Sequence, residues 1–314
     1  MKSSFAHISK EKDGYKLVFE RELNASAEKV WKALTEPEEL KYWFADIEID
    51  LKKGGRIIIH FKDANKTTSF AKITGISEGN KMEWDWEGEI AEWKIYPLSE
   101  NTTKLEFTYS KVHESYIRNV AAGFHSILDL LEQRLEGSEK LNEFGANEND
   151  PETVKLKAHY DFILLKNHPD AVSNKPLEVH TNFNSSLNDL WLALTDINKI
   201  KEWYFPLKEF RAEKGFKFQF EGQGSSGKKH LHLAEITFVV PFKSLQYSWV
   251  YEGIPGYSLL HWEVKGNESE SALTVSHFGL ESFQTNDPDF HPQNFKTGWN
   301  EILNVSLKNF LEKK

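Results

Sequence analysis

The sequence has 314 residues, with 39 Lys and Arg against 48 Asp and Glu, so its formal net charge is −9. It contains no cysteine, which excludes disulfides and thiolate metal sites, and its interspersed charges argue against nonspecific nucleic-acid binding. The length suits two domains of about 150 residues each, and no stretch approaches the roughly 18 apolar residues of a membrane span.

The first half begins with a predicted strand, "YKLVFERELNA", in which apolar and polar residues alternate. Two short helices follow. Ser26 is predicted to cap the first of them, and Thr35 with Glu38 forms a capping-box pattern for the second. Several antiparallel strands come next. A long helix then closes this half, because apolar residues recur at helical spacing over residues 117–135. One face of that helix must be buried against the sheet.

Residues 137–174 are predicted to link the two halves. Their first part, "EGSEKLNEFGANENDPE", is polar and rich in turn-forming residues, as flexible linkers are. The following "TVKLKAHYDFILL" is ambiguous, because its apolar residues alternate as in a strand, whereas Asp150–Pro151 is typical of a helix start. We favour the helix.

The second half repeats the order of the first. The phrase "VWKALTEPEELKYWF", which starts at Val30, returns 160 residues later as "LWLALTDINKIKEWYF", which starts at Leu190. A repeat of this length indicates a duplicated domain rather than a solenoid unit. We therefore predict one domain at residues 1–136 and a second at residues 175–314.

Cap signals mark the helices of the second half as well. Ser186 and Thr195 occupy the cap positions of its two short helices. The closing helix has two competing start signals, Asp287–Pro288 and His291–Pro292.

The repeated phrase, its continuation "KKGGR" and this order of elements resemble the START-like, birch-pollen-allergen-like superfamily with its helix-grip (SRPBCC) fold. They are most similar to domains related to the C-terminal domain of the activator of the heat-shock protein 90 ATPase. In the second half, "GFKFQFEG", "LTVSHFGLE" and "GWNEIL" carry the same resemblance. The resemblance implies an α+β fold of two tandem domains, each a curved antiparallel sheet wrapped around a long C-terminal helix. It also implies a cavity between that helix and the sheet.

Aromatic residues that alternate on single strand faces are the candidates for lining such cavities, although packing against the long helix is an equally ordinary role for them. His277 is predicted to face the interior and to orient a polar group of a ligand, or else to make a core hydrogen bond. The candidates are Trp84, Trp86, Trp93, Phe107, Tyr109 and Phe124 in the first half, and Phe218, Tyr247, Trp249, Trp262, His277 and Trp299 in the second.

Two other motifs resemble known binding sites. The segment "GQGSSGKK", from Gly222, resembles a P-loop, but a strand-like segment follows it, so we predict a hairpin loop. His230 and His232 lie on one side of that following strand and would need a further ligand from elsewhere to bind a metal ion. We interpret them as polar residues of an edge strand and predict no metal site. No motif for a catalytic nucleophile or acid–base pair is found in the sequence.

The favoured function is therefore non-catalytic binding of a hydrophobic small molecule or lipid-like ligand, without a cofactor. One alternative is a protein-interaction module related to chaperone activators, with a chaperone as its partner. A further alternative is an enzyme of the cyclase or hydratase kind. A filled interior in both domains would favour protein interaction, and a buried acid–base pair near His277 would favour an enzyme. The N-terminal residues lack the apolar run of a signal peptide, so a cytoplasmic location is expected.

Overall fold

A computed structural model describes residues 4–61, 66–140, 150–172, 174–224, 227–283 and 285–313. The chain divides into two compact units, Met1–Ser173 and Asn174–Lys314. Each unit combines one antiparallel sheet with helices, which confirms the α+β class and the two tandem helix-grip domains. None of the described helices combines the length and apolar character needed to cross a membrane.

The first unit contains an eight-stranded sheet. Its strands are β1 His7–Glu11, β2 Gly14–Leu23, β3 Asp46–Ile49, β4 Arg56–His60, β5 Thr68–Ser77, β6 Lys81–Trp86, β7 Glu89–Pro97 and β8 Thr103–Val112. Its helices are α1 Ala27–Thr35, α2 Pro37–Trp43, α3 Ile117–Leu135 and α4 Pro151–Asn167, and a 3-10 turn follows at Pro169–Ala171. The strands are ordered β1-β2-β8-β7-β6-β5-β4-β3.

The second unit contains a six-stranded sheet. Its strands are β9 Leu177–Phe183, β10 Lys217–Gln223, β11 Lys229–Val240, β12 Ser244–Tyr251, β13 Ile254–Gly266 and β14 Ser271–Phe278, in the order β10-β11-β12-β13-β14-β9. Its helices are α5 Leu187–Thr195, α6 Ile197–Trp203, α7 Pro292–Glu301 and α8 Lys308–Leu311, with 3-10 turns at Leu280–Ser282 and Pro288–Phe290. A π-helical turn, Ile302–Leu307, joins α7 to α8.

The repeated phrase forms the same pair of short helices in both units. The indole N–H of Trp43, at the end of α2, donates to the carbonyl of Ala33 in α1 over 2.9 Å. In the second unit, Trp203 donates to the carbonyl of Ala193 over 3.0 Å. Both indoles are buried. The repeated tryptophan therefore ties the second short helix to the first by a hydrogen bond inside the core.

The predicted caps are partly confirmed. Ser26 and Ser186 cap α1 and α5, because each side chain accepts a hydrogen bond from a backbone N–H three residues later. The capping roles predicted for Thr35 and Thr195 are wrong. Both residues end the preceding helix, and their hydroxyls donate to carbonyls four residues back, over 2.8 and 2.7 Å. The N-cap positions of α2 and α6 are instead occupied by Glu36 and Asp196, the next residue in each case.

Both start signals near the closing helix of the second unit are used. Asp287 caps the 3-10 turn that begins at Pro288, and its side chain accepts from the N–H of Asp289. His291 caps α7, which begins at Pro292. The chain thus makes a short turn before the long helix, and this turn places Asp289 and Phe290 beside the sheet.

The ambiguous segment after residue 150 is helical, as favoured. Asp150 caps α4 by accepting from the N–H of Thr153 over 3.0 Å. Although α4 lies within the residues predicted as a linker, it packs against α3 of the first unit and buries Leu156, Tyr160 and Leu164. An Arg118–Asp161 ion pair with an N–O distance of 2.8 Å joins the two helices, and Asp161 is fully buried.

Candidate functional site

In the first unit, the aromatic candidates pack on one another between the sheet and α3. Trp93 stacks on Phe107 with ring centroids 3.9 Å apart. The ring of Phe124, from α3, lies 4.7 Å from Phe107 and 4.5 Å from Tyr109. Trp84 is buried against Trp93, whereas Trp86 is half-buried and contacts Phe124. These rings therefore contact one another in the region in which a cavity was expected.

The centre of the second unit is packed almost as closely. Phe218, Tyr247 and Trp262 line a cavity of only about 20 Å³, together with Trp203 and Tyr204 from α6 and its C-terminal end. A space of that size holds about one water molecule. The hydroxyls of Tyr204 and Tyr247 lie 3.1 Å apart within this group. The middle of the sheet therefore offers no room for an organic ligand in this structure.

His277 faces the interior and is buried, as predicted. The indole N–H of Trp299 donates to its Nδ1 over 3.1 Å. Its Nε2 lies 2.8 Å from Oγ of Ser258, whose hydroxyl donates to the carbonyl of Trp249. The Nε2–H of His277 is therefore the donor to Ser258, and both ring nitrogens have protein partners. His277 holds Trp299 in place, and the core hydrogen bond is the role that the structure supports.

Burial keeps His277 and a neighbouring histidine, His232, uncharged. Burial lowers the pKa of His277 to about 3, and the nearby His232 adds to this effect. Burial likewise lowers the pKa of His232 to about 4. The pKa of a histidine in an unfolded chain is near 6.5. Between about pH 6.5 and 4 the unfolded chain therefore binds protons at these two residues, whereas the folded unit does not.

We therefore expect the second unit to lose stability as the pH falls through this window, whereas above about pH 6.5 these groups contribute no pH dependence. Each of the two histidines should lower the free energy of unfolding by about 2 kcal/mol between pH 7.5 and pH 5. Urea unfolding of the full chain at both pH values measures the effect. The two histidines together should account for a loss of about 4 kcal/mol between the two pH values, and His277→Gln should remove about half of that loss. An unchanged pH dependence in His277→Gln would contradict the assignment.

An open cleft lies at the end of the second sheet. It has a volume of about 320 Å³ and lies between β10, β11 and β12 on one side, and the turn at Pro288–Phe290 with α7 on the other. Two of the predicted residues, Trp249 and Trp299, line it. Its other lining residues are Phe205, Gly222, Gln223, Gly224, His230, His232, Tyr251, Asp289, Phe290, Asn294, Phe295, Thr297, Gly298, Glu301 and Ile302.

His230 and His232 are not edge-strand residues, so that interpretation is wrong. They lie on β11, which pairs with β10 on one side and with β12 on the other, so the edge strand is β10. Both side chains are buried in the wall of the cleft. The Nε2–H of His230 donates to Oδ2 of Asp289 over 3.1 Å. His232 stacks on Phe220 at 4.5 Å, and its Nδ1–H donates to the carbonyl of His230. Strand order, which places β10 at the edge, cannot be read from local alternation.

Two glycines allow the hairpin to close on these side chains. A Cβ at Gly222 would lie 2.5 Å from the ring of His232, and one at Gly224 would lie 2.0 Å from Oδ2 of Asp289. The glycine-rich segment is a hairpin connection between β10 and β11, as predicted, although residues 225 and 226 lie outside the described residues. Its glycines therefore make room for the wall of the cleft, and a strand rather than a helix follows them.

Asp289 and Phe290 were missed in the sequence. Phe290 packs its ring 4.7 Å from Tyr251 and 5.2 Å from His230. The signal that could have found them is the start pattern Asp287–Pro288, had it been interpreted as a separate turn before the closing helix rather than as a competing start of that helix.

Comparison with known families gives two matches along the chain. The family described as "Activator of Hsp90 ATPase homolog 1-like protein" matches residues 24–136 and again residues 184–312. The two matches cover most of the chain, with one in each compact unit. No curated protein matches the sequence.

Solved structures with similar folds include DynU16, a protein in the dynemicin biosynthetic locus, with 15% identity, a TM-score of 0.38, and coverage of 92% of this chain and 96% of its own. CalU16 from Micromonospora echinospora has 18% identity and a TM-score of 0.39, over 51% of this chain and 93% of its own. The Aha1 protein from Colwellia psychrerythraea, solved as a dimer, has 24% identity and a TM-score of 0.36, over 40% of this chain and 98% of its own. At these identities we draw no functional conclusion from them.

Proposed function

The chain belongs to the family of activator of Hsp90 ATPase homolog 1-like proteins, and on that premise we propose that its second unit binds a small, largely apolar molecule. The observation that carries this proposal is the open cleft of about 320 Å³. Small-molecule sites have volumes of about 300–1,000 Å³ and are lined mainly by apolar and aromatic side chains with a few polar groups. The cleft fits this description, whereas the cavity at the centre of the unit does not.

The aromatic side chains would supply the binding free energy. Trp249 and Trp299 cross at 64° with centroids 5.3 Å apart, and Tyr251 packs against Phe290 with centroids 4.7 Å apart. Each square ångström of apolar surface removed from water contributes about 25 cal/mol before the costs of association. Since these rings are held by core hydrogen bonds, such as that from Trp299 to His277, they lose little freedom when a ligand binds.

The polar groups of the cleft would select the ligand. His232 and the His230–Asp289 pair are the polar side chains buried in its wall. Each already has a hydrogen-bond partner in the protein, and the Asp289 carboxylate, with several lone-pair sites, can accept a further hydrogen bond from a donor on the ligand. We therefore expect a ligand with an apolar body and one hydrogen-bonding group. No cofactor or bond-breaking step is needed for this role.

Gly298 provides a sharp test, because it lines the cleft on α7 and a Cβ at that position would meet no atom within 4 Å. Gly298→Leu should fill the cleft and weaken saturable binding of a fluorescent apolar probe, 8-anilinonaphthalene-1-sulfonate, by at least tenfold. The variant should still fold, because removing a glycine from a helix stabilises it by about 0.5–1 kcal/mol. A fluorescence titration of the full chain measures the affinity.

Gly298→Ala is the matched control. It adds one methyl group and should leave probe binding within about twofold of wild type while giving the same helix stabilisation. Equal binding by wild type and Gly298→Leu would place the probe elsewhere. If a chemically broad set of apolar probes shows no saturable binding to the wild type, the proposal fails and protein interaction becomes the better explanation.

The packed aromatic interior of the first unit favours the other role for that unit. Since Trp93, Phe107 and Phe124 pack on one another between its sheet and α3, we propose that the first unit acts as a protein-interaction module, with a chaperone as the candidate partner. The ligand-binding role is assigned to the second unit alone.

A further inference from the structure

Three potential metal ligands converge at the rim of the cleft. His230, Asp287 and Asp289 each offer one ligand atom, and these atoms all lie within 4.8 Å of one another. Nε2 of His230 and Oδ2 of Asp289 are 3.1 Å apart. Zinc binds imidazole nitrogen and carboxylate oxygen at about 2.0–2.2 Å, so two ligands of one ion are separated by about 3–3.5 Å. One pair already has this spacing. To bind an ion, Nε2 of His230 must give up the proton that it donates to Asp289, so the neutral imidazole changes to the tautomer with its proton on Nδ1, and the Asp287 carboxylate must move closer to the pair.

We propose that His230, Asp287 and Asp289 bind a divalent transition-metal ion at the rim of the cleft. The donor set is one imidazole and two carboxylates. Imidazole suits zinc and other first-row transition metals, whereas calcium and magnesium prefer sites built from oxygen alone. We therefore infer that zinc is preferred to calcium or magnesium.

The ligands are held in place before an ion binds. The side chains of His230 and Asp289 are only 8% and 3% exposed, and the chain of Gly224 lies directly against the Asp289 carboxylate. The N–H of Asp289 donates to Oδ1 of Asp287 over 3.1 Å. This hydrogen bond fixes one oxygen of Asp287 and leaves Oδ2 as the atom that faces a cation. Such fixing of a ligand by a neighbouring donor is typical of metal sites.

The site already holds a positive charge. Nζ of Lys228 lies 3.1 Å from Oδ2 of Asp287, and its side chain is 60% exposed. The Lys228 ammonium group therefore occupies a position next to Asp287 that a metal ion would also use. Because the lysine side chain is exposed, it can move into solvent when an ion binds. This arrangement has a distinctive consequence: Lys228 and a metal ion compete for Asp287, so removing the lysine should tighten metal binding.

The test is a calorimetric titration of the untagged full chain with Zn²⁺, and in parallel with Ca²⁺. We expect one saturable Zn²⁺ site and no comparable Ca²⁺ binding. His230→Ala and Asp289→Asn should each weaken Zn²⁺ binding by at least about 100-fold, because loss of a direct ligand costs more than the 10–100-fold of an outer partner. Lys228→Gln should strengthen it about fivefold, as expected from the loss of one nearby positive charge in water.

His180→Ala is the control for adventitious binding, since His180 is an exposed histidine of the same unit. It should leave the affinity unchanged. Absence of saturable Zn²⁺ binding, an equal loss in His180→Ala, or weaker binding in Lys228→Gln would overturn the proposal. The Lys228→Gln result decides the matter even if His230→Ala fails to fold. Gly298→Leu should retain Zn²⁺ binding, so failure of the metal site and failure of the cleft as an organic-ligand site are distinguishable.

Discussion

Replacement of Trp43 or Trp203 by alanine is expected to lower the free energy of unfolding of its own unit by about 3–5 kcal/mol. Each indole is buried and donates a hydrogen bond to the preceding short helix. The substitution removes a large apolar side chain, leaves a cavity and strands a carbonyl of α1 or α5. Because the two units repeat the same contact, the two losses should be similar. Chemical unfolding of the full chain, followed by fluorescence and circular dichroism, measures them.

Two further variants separate packing from hydrogen bonding. Trp43→Phe keeps much of the apolar volume but loses the indole N–H, so it should cost less than Trp43→Ala. Tyr96→Ala removes an aromatic residue that is 43% exposed and should change stability by no more than about 0.5 kcal/mol. A surface-like cost for Trp43→Ala would show that the phase of α2 is wrong.

Replacement of Asp161 by alanine should also cost the first unit about 3–5 kcal/mol. The change removes a fully buried carboxylate and leaves the guanidinium of Arg118, which is only 12% exposed, without the partner it has on α4. Loss of one member of a buried ion pair is expensive because the other charge stays desolvated. Denaturant unfolding of the full chain gives the loss, and proteolysis near residues 150–167 should increase with it.

Removing both charges is the informative comparison. Arg118→Met combined with Asp161→Leu should be closer to wild type than Asp161→Ala alone, because no unpaired charge remains. Glu152 lies on the exposed side of α4 and pairs with the exposed Lys155. Glu152→Ala should therefore change the free energy of unfolding very little. If Asp161→Ala is as mild as Glu152→Ala, the attachment of α4 to α3 does not depend on this pair.

Local patterns predicted the elements and their order, whereas the helix-grip arrangement was expected from the family resemblance. Alternation and helical spacing identified the sheets and the closing helices, because one face of each element is buried against one core. The duplicated phrase fixed the order of elements in both halves. The caps at Thr35 and Thr195 were mispredicted because a threonine between two helices can be either the last residue of the first helix or the N-cap of the second. Here each threonine ends the first helix, and its hydroxyl donates to a carbonyl of that helix.

The site was less accessible to prediction. Trp249 and Trp299 were named as cavity residues and do line the cleft, but Phe218, Tyr247 and Trp262 border only the small central cavity. Whether aromatic rings enclose space or fill it depends on how rings from distant elements meet. The partners of His230 come from a turn about sixty residues later, so no local spacing connects them.

The π-helical turn at Ile302–Leu307 changes the angular phase of the closing helix. In α3, a row of buried residues is spaced alternately by four and three, at 117, 121, 124, 128, 131 and 135, which keeps the row on one side of an ordinary α-helix. In the second unit, the buried residues Phe295, Trp299, Leu303 and Leu307 are spaced by four throughout. Four residues of an α-helix turn about 40° more than one full circle. Buried residues spaced by four would therefore rotate gradually around the helix towards solvent. The wider π-helical turn winds less per residue and cancels that rotation. Phe295, Trp299, Leu303 and Leu307 therefore all stay buried along the closing helix.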